Sequence, residues 1–370
     1  MEFSVSKPDL VRELGLSQGV VEKRTTIPIL SNVLLEAADD RLTLTATDLE
    51  LGIRCSCPAQ VKKPGSGTIP ARRLLDYVRL LPDADIQVKV GDNHWASLVC
   101  GRSRTRMAGM SRESFPELPQ MPDPIAEFPA KVLSALIDKT IFAISTEESR
   151  FTLNGAQLIL RPTSMALVAT DGHRLALAEQ PIEFAADTSF RGLLPRKAMT
   201  EIKSLVSESG ADTMIQFAAT ENHLFFRLAG RLLISRKLTG NFPDYDRVLP
   251  KEQAHALSMP REDLRAAIER VAQFADERSR AIRVQVAPGE LKVHSSLSET
   301  GESEETLPAV FDGPAIEIGF NAQYLIDFLR ASQEAEATLL LRDSVSAGEL
   351  RPSGESVNYI YRYVVMPMRI

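Results

Sequence analysis

The chain is poor in several things, and each scarcity closes off a class of function. It has three cysteines in 370 residues, Cys55, Cys57 and Cys100. That is too few for a disulfide-built scaffold and fits a reducing cytoplasm. Cys55 and Cys57 alternate along a strand-like segment with no second Cys or His pair nearby, so they read as packing residues and not as zinc ligands. There is one tryptophan, Trp95, after the turn-like Gly91-Asp92-Asn93, and it too reads as a packing residue. No apolar run approaches the length of a membrane span. The N-terminus, Met1-Glu2-Phe3-Ser4-Val5, lacks the basic-then-apolar order of a signal peptide. Basic charge is not in excess either. The net charge of -6 argues against a protein coated in nucleic acid, though not against a locally basic surface.

Catalytic signatures are also missing. There is no phosphate-binding loop, no Gly-x-Gly-x-x-Gly, no Gly-x-Ser-x-Gly and no His-Glu-x-x-His. The histidines His94, His173, His223, His255 and His294 are scattered. Asp171 and His173 come nearest to an acid–base pair, but they flank Gly172 and read as a turn, with His173 lining a groove. No catalytic residue, metal or cofactor is expected.

What the chain does have is a repeat. Helix-like segments start at Pro8, Pro129 and Pro260, a period of roughly 125 residues, and proline is at home in a first helical turn. Alternating, strand-like segments follow each one. Second helices then start at Pro70, Pro195 and Asn321. Ala46-Thr47-Asp48 and Ala169-Thr170-Asp171 echo one another. The proline-dense stretch Phe115 to Pro124 and the shorter Pro250 to His255 cannot continue regular structure and read as linkers. Three domains follow, 1–122, 123–250 and 251–370, each with two helices and several antiparallel strands, an α+β class.

The helices are two-sided. Leu133, Leu136, Ile137, Ile141 and Ile144 share one face, as do Leu74, Leu75, Val78 and Leu81. The opposite faces carry Arg12, Arg72, Arg73, Arg79, Lys131 and Lys139, and further along Arg196, Lys197, Lys203, Arg261 and Arg265. Two readings stand: a solvated face, or a set of electropositive faces turned toward a phosphate backbone. Two further charge blocks look complementary. Arg102, Arg104 and Arg106 alternate on one segment; Glu299, Glu302, Glu304 and Glu305 cluster in the third unit. Between chains they favour a head-to-tail contact that closes into a ring.

The C-terminus, Tyr363 to Ile370, is apolar and β-branched where most termini are polar. Pro367 ends any strand before it, and Met366 and Met368 suit an adaptable surface. Ala169 to Leu175 and Asn241 to Pro250 look ready to receive this run, so that the three form an apolar protein-binding groove.

Taken with Arg24-Thr25-Thr26-Ile27-Pro28-Ile29-Leu30-Ser31-Asn32, these stretches closely resemble the bacterial DNA polymerase III beta subunit, the sliding clamp, over the whole chain. The resemblance implies three clamp-fold domains per chain, with helices lining a central pore and antiparallel sheets outside, in a head-to-tail homodimeric ring. It implies a non-catalytic processivity factor on duplex DNA in the cytoplasm, associated with the nucleoid. A clamp loader opens the ring. The polymerase III alpha subunit, other polymerases and repair proteins dock through a short motif with leucine and phenylalanine anchors.

Carried over by motif, the groove comprises Leu153, Thr170, Gly172, His173, Arg174 and Leu175. Pro243, Arg247 and Val248 join them, as do Val364, Val365, Met366, Pro367, Met368 and Arg369. Arg174 is expected to fix polar atoms of the peptide. DNA contacts map onto Arg24, Arg72, Arg73, Arg150 and Phe151. The chain has Thr105 and Met107 where the family often has larger apolar residues on the interface strand. Weight therefore shifts to the arginine–glutamate pairs, with Phe274 as the apolar candidate on the opposite side. Two other functions are open to the residues: a DNA-binding nuclease using Asp48 or Asp171, and a repeat-built adaptor that uses the groove and never encircles DNA.

Overall fold

The computed structural model describes residues 1–21, 25–210, 212–297, 301–311, 313–354 and 357–369. Arg24 and Glu299 lie outside the described residues. The chain forms two compact units, one of Met1–Ser134 with Lys197–Lys237, the other of Ala135–Arg196 with Leu238–Ile370.

Among the described residues there are six α-helices: α1 (Lys7–Val20), α2 (Ala71–Leu80), α3 (Ala130–Thr140), α4 (Arg196–Ser209), α5 (Arg261–Val271) and α6 (Ala322–Ala331). Their starts follow one chemistry. Strands Gly65–Pro70, Ala126–Pro129, Phe190–Pro195 and His255–Pro260 each end on proline, and a helix begins at the next residue. Proline cannot extend a ladder, and its φ suits entry into a helix. The other two helices are capped by side chains: Ser6 accepts from the Asp9 amide, and Asn321 accepts from the Gln323 amide.

The first unit holds two antiparallel sheets. One has five strands, in the order Gln60–Lys63, Glu2–Ser6, Asp85–Val90, Trp95–Cys100, Ser103–Ala108. The other has eight, and α1 packs across its strands Arg41–Thr47 and Leu51–Pro58. The second unit repeats the arrangement with one eight-stranded sheet and one four-stranded sheet, and α5 packs against α6.

Each eight-stranded sheet is two halves joined edge to edge. A meander of three strands (Asn32–Ala38, Arg41–Thr47, Leu51–Pro58) meets a second meander (Met214–Ala219, His223–Leu228, Arg231–Arg236) through their last strands, with Ile53 opposite Leu233. The other eight-stranded sheet does the same. Gly155–Arg161, Ser164–Thr170 and Arg174–Pro181 meet Glu336–Leu341, Gly348–Ser353 and Ile360–Val365, with Leu175 opposite Val364. The sheets thus run across the boundaries between sequence repeats. Among the described residues two meanders are left unjoined, and their last strands are Ser103–Ala108 and Gly301–Pro308.

Strand Asp85–Val90 alternates exposed and buried, as a sheet with one wet face should, whereas Ser164–Thr170 is buried throughout. The reason is a strap. Phe242, Tyr245, Val248 and Leu249 pack over Ile159, Ala166, Val168, Leu175, Leu177 and Val364 on one face of that sheet. In the first unit, Leu118 and Met121 of the proline-dense stretch lie on Ala218, Phe225, Leu232 and Ile234. What reads as a linker is in part a packed cover. Trp95 departs from its expected packing role. It is 42 % exposed, with the Arg106 guanidinium 5.1 Å above its ring, because it starts a strand next to the free-edge strand.

Candidate peptide-binding groove and the two free edges

The terminal strand Ile360–Val365 is an inner strand, paired with Arg174–Pro181 on one side and Gly348–Ser353 on the other. Val364 and Val365 are each 1 % exposed. The ladder stops where Pro367 supplies no donor. Met366 still donates to the His173 carbonyl (2.9 Å), and the Met368 amide donates to the Gly319 carbonyl (2.8 Å). The end of the chain is therefore tied down on both sides, and the three stretches singled out in the sequence do meet.

They enclose an apolar pocket of about 110 Å³ lined by Leu153, Thr170, Gly172, His173, Arg174, Leu175, Pro243, Val248, Val364 and Met366. Five other candidates stand apart from it. Val365 turns to the opposite face from Val364 by strand alternation. Pro367, Met368 and Arg369 follow the tail as it runs toward Gly319. Arg247 is 86 % exposed, pairs with Asp244 at 2.9 Å and borders an adjoining depression with Arg342, Ser346 and Ala347.

The pocket's rim is the turn Thr170–Arg174. Gly172 takes a φ of +90°, a conformation that favours glycine. The Thr170 hydroxyl accepts from the Gly172 amide (3.1 Å) and donates to the Arg174 carbonyl (2.6 Å). One oxygen of Asp171 accepts from the amides of His173 (2.9 Å) and Arg174 (3.1 Å). Asp171 is thus consumed by the turn, and His173 is exposed at the pocket it lines. Among the described residues, no group of three or more His, Cys, Asp or Glu could hold a metal ion.

Arg174 departs most from expectation. Its side chain is 10 % exposed. The guanidinium donates to Asp171 (3.0 Å), Asp327 (2.5 Å), the Phe142 carbonyl (2.5 Å) and the Tyr363 hydroxyl (3.4 Å). It lies 4.3 Å from the Tyr324 ring centroid and 5.5 Å from that of Phe142. Burial opposes its charge, but Tyr363, Asp327 and Asp171 outweigh burial and raise its pKa above the ordinary value. A guanidinium so committed forms the pocket wall with four of its five donors taken up within the protein.

The basic helix faces are less bare than their sequence suggests. Arg12 pairs with Asp9 and Glu13, Lys131 with Asp212, Lys197 with Asp48, and Arg265 with Glu262 and Glu269. Arg261 donates to the carbonyls of Leu329 and Glu334. Arg196 and Lys203 have partners as well. Lys139 is buried, 7 % exposed, with its ammonium 4.7 Å from the Tyr359 ring centroid; burial lowers its pKa. The exposed cations of α2 are Arg72, Arg73 and Arg79, with Arg72 in only a loose 3.8 Å contact to Asp76. Phe151 is 70 % exposed. Its neighbour Arg150 is engaged, pairing with Glu147 (2.8 Å) and donating to the Asp171 carbonyl (2.7 Å).

On the free edges, Arg104 and Arg106 project from strand Ser103–Ala108, while Arg102 sits in the preceding turn. Met107 points the other way and is 5 % exposed, so it packs inside its own sheet and adds no apolar surface to the edge. Glu302 and Glu304 project together from strand Gly301–Pro308, and Lys292 pairs with Glu304 at 3.1 Å. Phe274 is half-buried at the start of that edge, beside Gly301.

The chain matches the DNA polymerase III beta subunit three times in order. The N-terminal domain matches over residues 1–119, the central domain over 127–244 and the C-terminal domain over 246–369. The chain belongs to the DNA polymerase III beta subunit family. The beta sliding clamp of Pseudomonas putida is 35 % identical over 376 residues, and that of Caulobacter vibrioides 36 % over 378, each with full coverage of both chains. Among solved structures, a Pseudomonas aeruginosa DnaN sliding clamp bound to griselimycin superimposes with a TM-score of 0.94 at 33 % identity, covering all of both chains. The Caulobacter crescentus beta sliding clamp, with polyethylene glycol in its putative beta-motif tethering region, gives 0.94 at 35 % with the same coverage. Three-domain sliding-clamp architecture and sliding-clamp function are therefore properties of this beta subunit.

Proposed function

We propose that this sliding clamp works as a closed head-to-tail homodimer that encircles duplex DNA and tethers other proteins to it without catalysing a reaction. The observation that carries this is the pattern of joints. Four of the six meanders join through their last strands, and the two left over offer last strands of opposite charge, Arg104 and Arg106 on one, Glu302 and Glu304 on the other. The same joint made between two copies, once at each end, closes a ring of six like domains. On this reading the three clamp domains are 1–122, 123–250 and 251–370. Arg72 and Arg73 are the exposed cations best suited to a phosphate backbone; Arg24 joins them by family motif, and Phe151 offers an exposed aromatic face.

The pocket beneath Val364 and Met366 takes the leucine and phenylalanine anchors of a partner's short motif. Those partners are the polymerase III alpha subunit, the clamp loader, and other polymerases and repair proteins, met in the cytoplasm on the nucleoid. The test is topological. The protein is loaded onto a nicked circular plasmid with a clamp loader and ATP, gel-filtered, and the plasmid is then cut once. Co-elution with the circle and release from the linear form are expected. Retention on both forms, or on neither with an active loader, overturns the encircling reading.

A further inference from the structure

Arg174 stands at the groove wall, yet every nitrogen of its guanidinium faces a partner within the protein. Its Nε meets Asp171, which itself holds the amides of His173 and Arg174. Nη1 reaches Asp327 in the middle of α6, and Nη2 reaches the Phe142 carbonyl just beyond α3. The rings of Phe142 and Tyr324 flank it, and Phe142 in turn packs edge-on against Tyr363 at 5.5 Å. Asp327 takes no part in the pocket's lining. It accepts from Gln323 one helical turn earlier (2.7 Å), so its carboxylate is fixed from two sides.

Resting on the groove reading above, we infer that Arg174 is a positioning residue, and that Asp327 and Phe142 set the groove through it. The rim turn Thr170–Arg174 belongs to the second sequence repeat and α6 to the third. The guanidinium locks one to the other. Groove affinity therefore depends on where α6 stands, through a carboxylate that no peptide reaches. A planar fork with five donors can make this junction, and a lysine cannot.

The test uses the full-length protein and a fluorescein-labelled pentapeptide with leucine and phenylalanine anchors, read by anisotropy. Asp327→Asn is expected to bind roughly tenfold more weakly, equivalent to about 1.4 kcal/mol. Amide exchange at His173 and Arg174 should quicken in the peptide-free variant. The R174K/D327N double variant should be no weaker than Arg174→Lys alone, because both break one linkage. Phe142→Leu, which keeps the ion pair and removes one flanking ring, should weaken binding in the same direction and serves if Asp327→Asn does not fold. Val248→Glu reports on the groove itself. If Val248→Glu binds as the parent does, the groove reading falls. If Val248→Glu fails to bind while Asp327→Asn and Phe142→Leu bind like the parent and Arg174→Lys does not, Arg174 contacts the peptide directly and the positioning role is overturned.

Discussion

Glu13 is 1 % exposed and holds Arg231 at 2.7 Å and Arg12 at 2.9 Å. Burial by itself would raise its pKa, but the hydrogen bonds from Arg231 and Arg12 outweigh burial and hold the carboxyl below its usual range. A carboxyl whose pKa is depressed by folding contributes stability above its unfolded value, about 4.3 for glutamate, and loses it as pH falls through the folded value. Thermal unfolding across acidic pH should therefore show a loss in the parent that is shallower in Glu13→Ala. At neutral pH Glu13→Ala should cost about 3–5 kcal/mol, since Arg231 is left buried without its partner. Urea unfolding measures that directly. The cysteines offer a second check at this scale. Cys55, Cys57 and Cys100 are all buried, and burial drives the Cys55 thiol up and pushes that of Cys57 up to about 12. A thiol in that state is a poor nucleophile. Titration with a disulfide reagent should find no fast-reacting thiol in the folded protein and three after denaturation.

At the scale of elements, the roles proposed for the two edge strands and the tail can be cut apart. Reversing Arg104 and Arg106 to Glu sets like charge against Glu302 and Glu304, and should give monomers in sedimentation velocity. Removing residues 366–370 deletes the Met366 wall and the tail behind it. Peptide binding should be lost in anisotropy while the dimer persists in sedimentation. The sequence showed much of this level. The prolines at 70, 129, 195 and 260 marked helix starts to within one residue, because proline acts locally through its missing donor and fixed φ; the structure places each at the end of the preceding strand. Two elements read less well. Leu118 and Met121 sit in a proline-dense stretch whose composition signals a loop, and only the sheet beneath them makes them core. Met107 alternates to the inner face of its strand, and register decides that.

For the whole molecule, the joints between meanders explain why three repeats behave as one chain. Ile53 pairs with Leu233, and Leu175 with Val364, across distances of sequence that no local signal spans. A beta subunit that cannot make the remaining joint should still fold and still bind peptide. In the loading experiment, the Arg104 and Arg106 reversal should leave the protein unretained on circular plasmid while its unfolding midpoint stays close to that of the parent.

The sequence by itself determined the repeat, the helix starts, the absence of catalytic and metal-binding patterns, and the three stretches that build the groove. These rest on spacing and on residues whose preferences are local. The tertiary structure decided which of those residues face the pocket and which cations stay free. Val364 and Val365 are chemically alike and adjacent, and only their pairing register sends one into the groove and the other away from it. Arg174 reads in sequence as a donor for a ligand. Four of its five donors are spent on Asp171, Asp327, Phe142 and Tyr363. Those partners come from four separate segments of chain, and which charge meets which carboxylate is settled by packing, because Coulomb attraction depends on distance in space and not on separation in sequence.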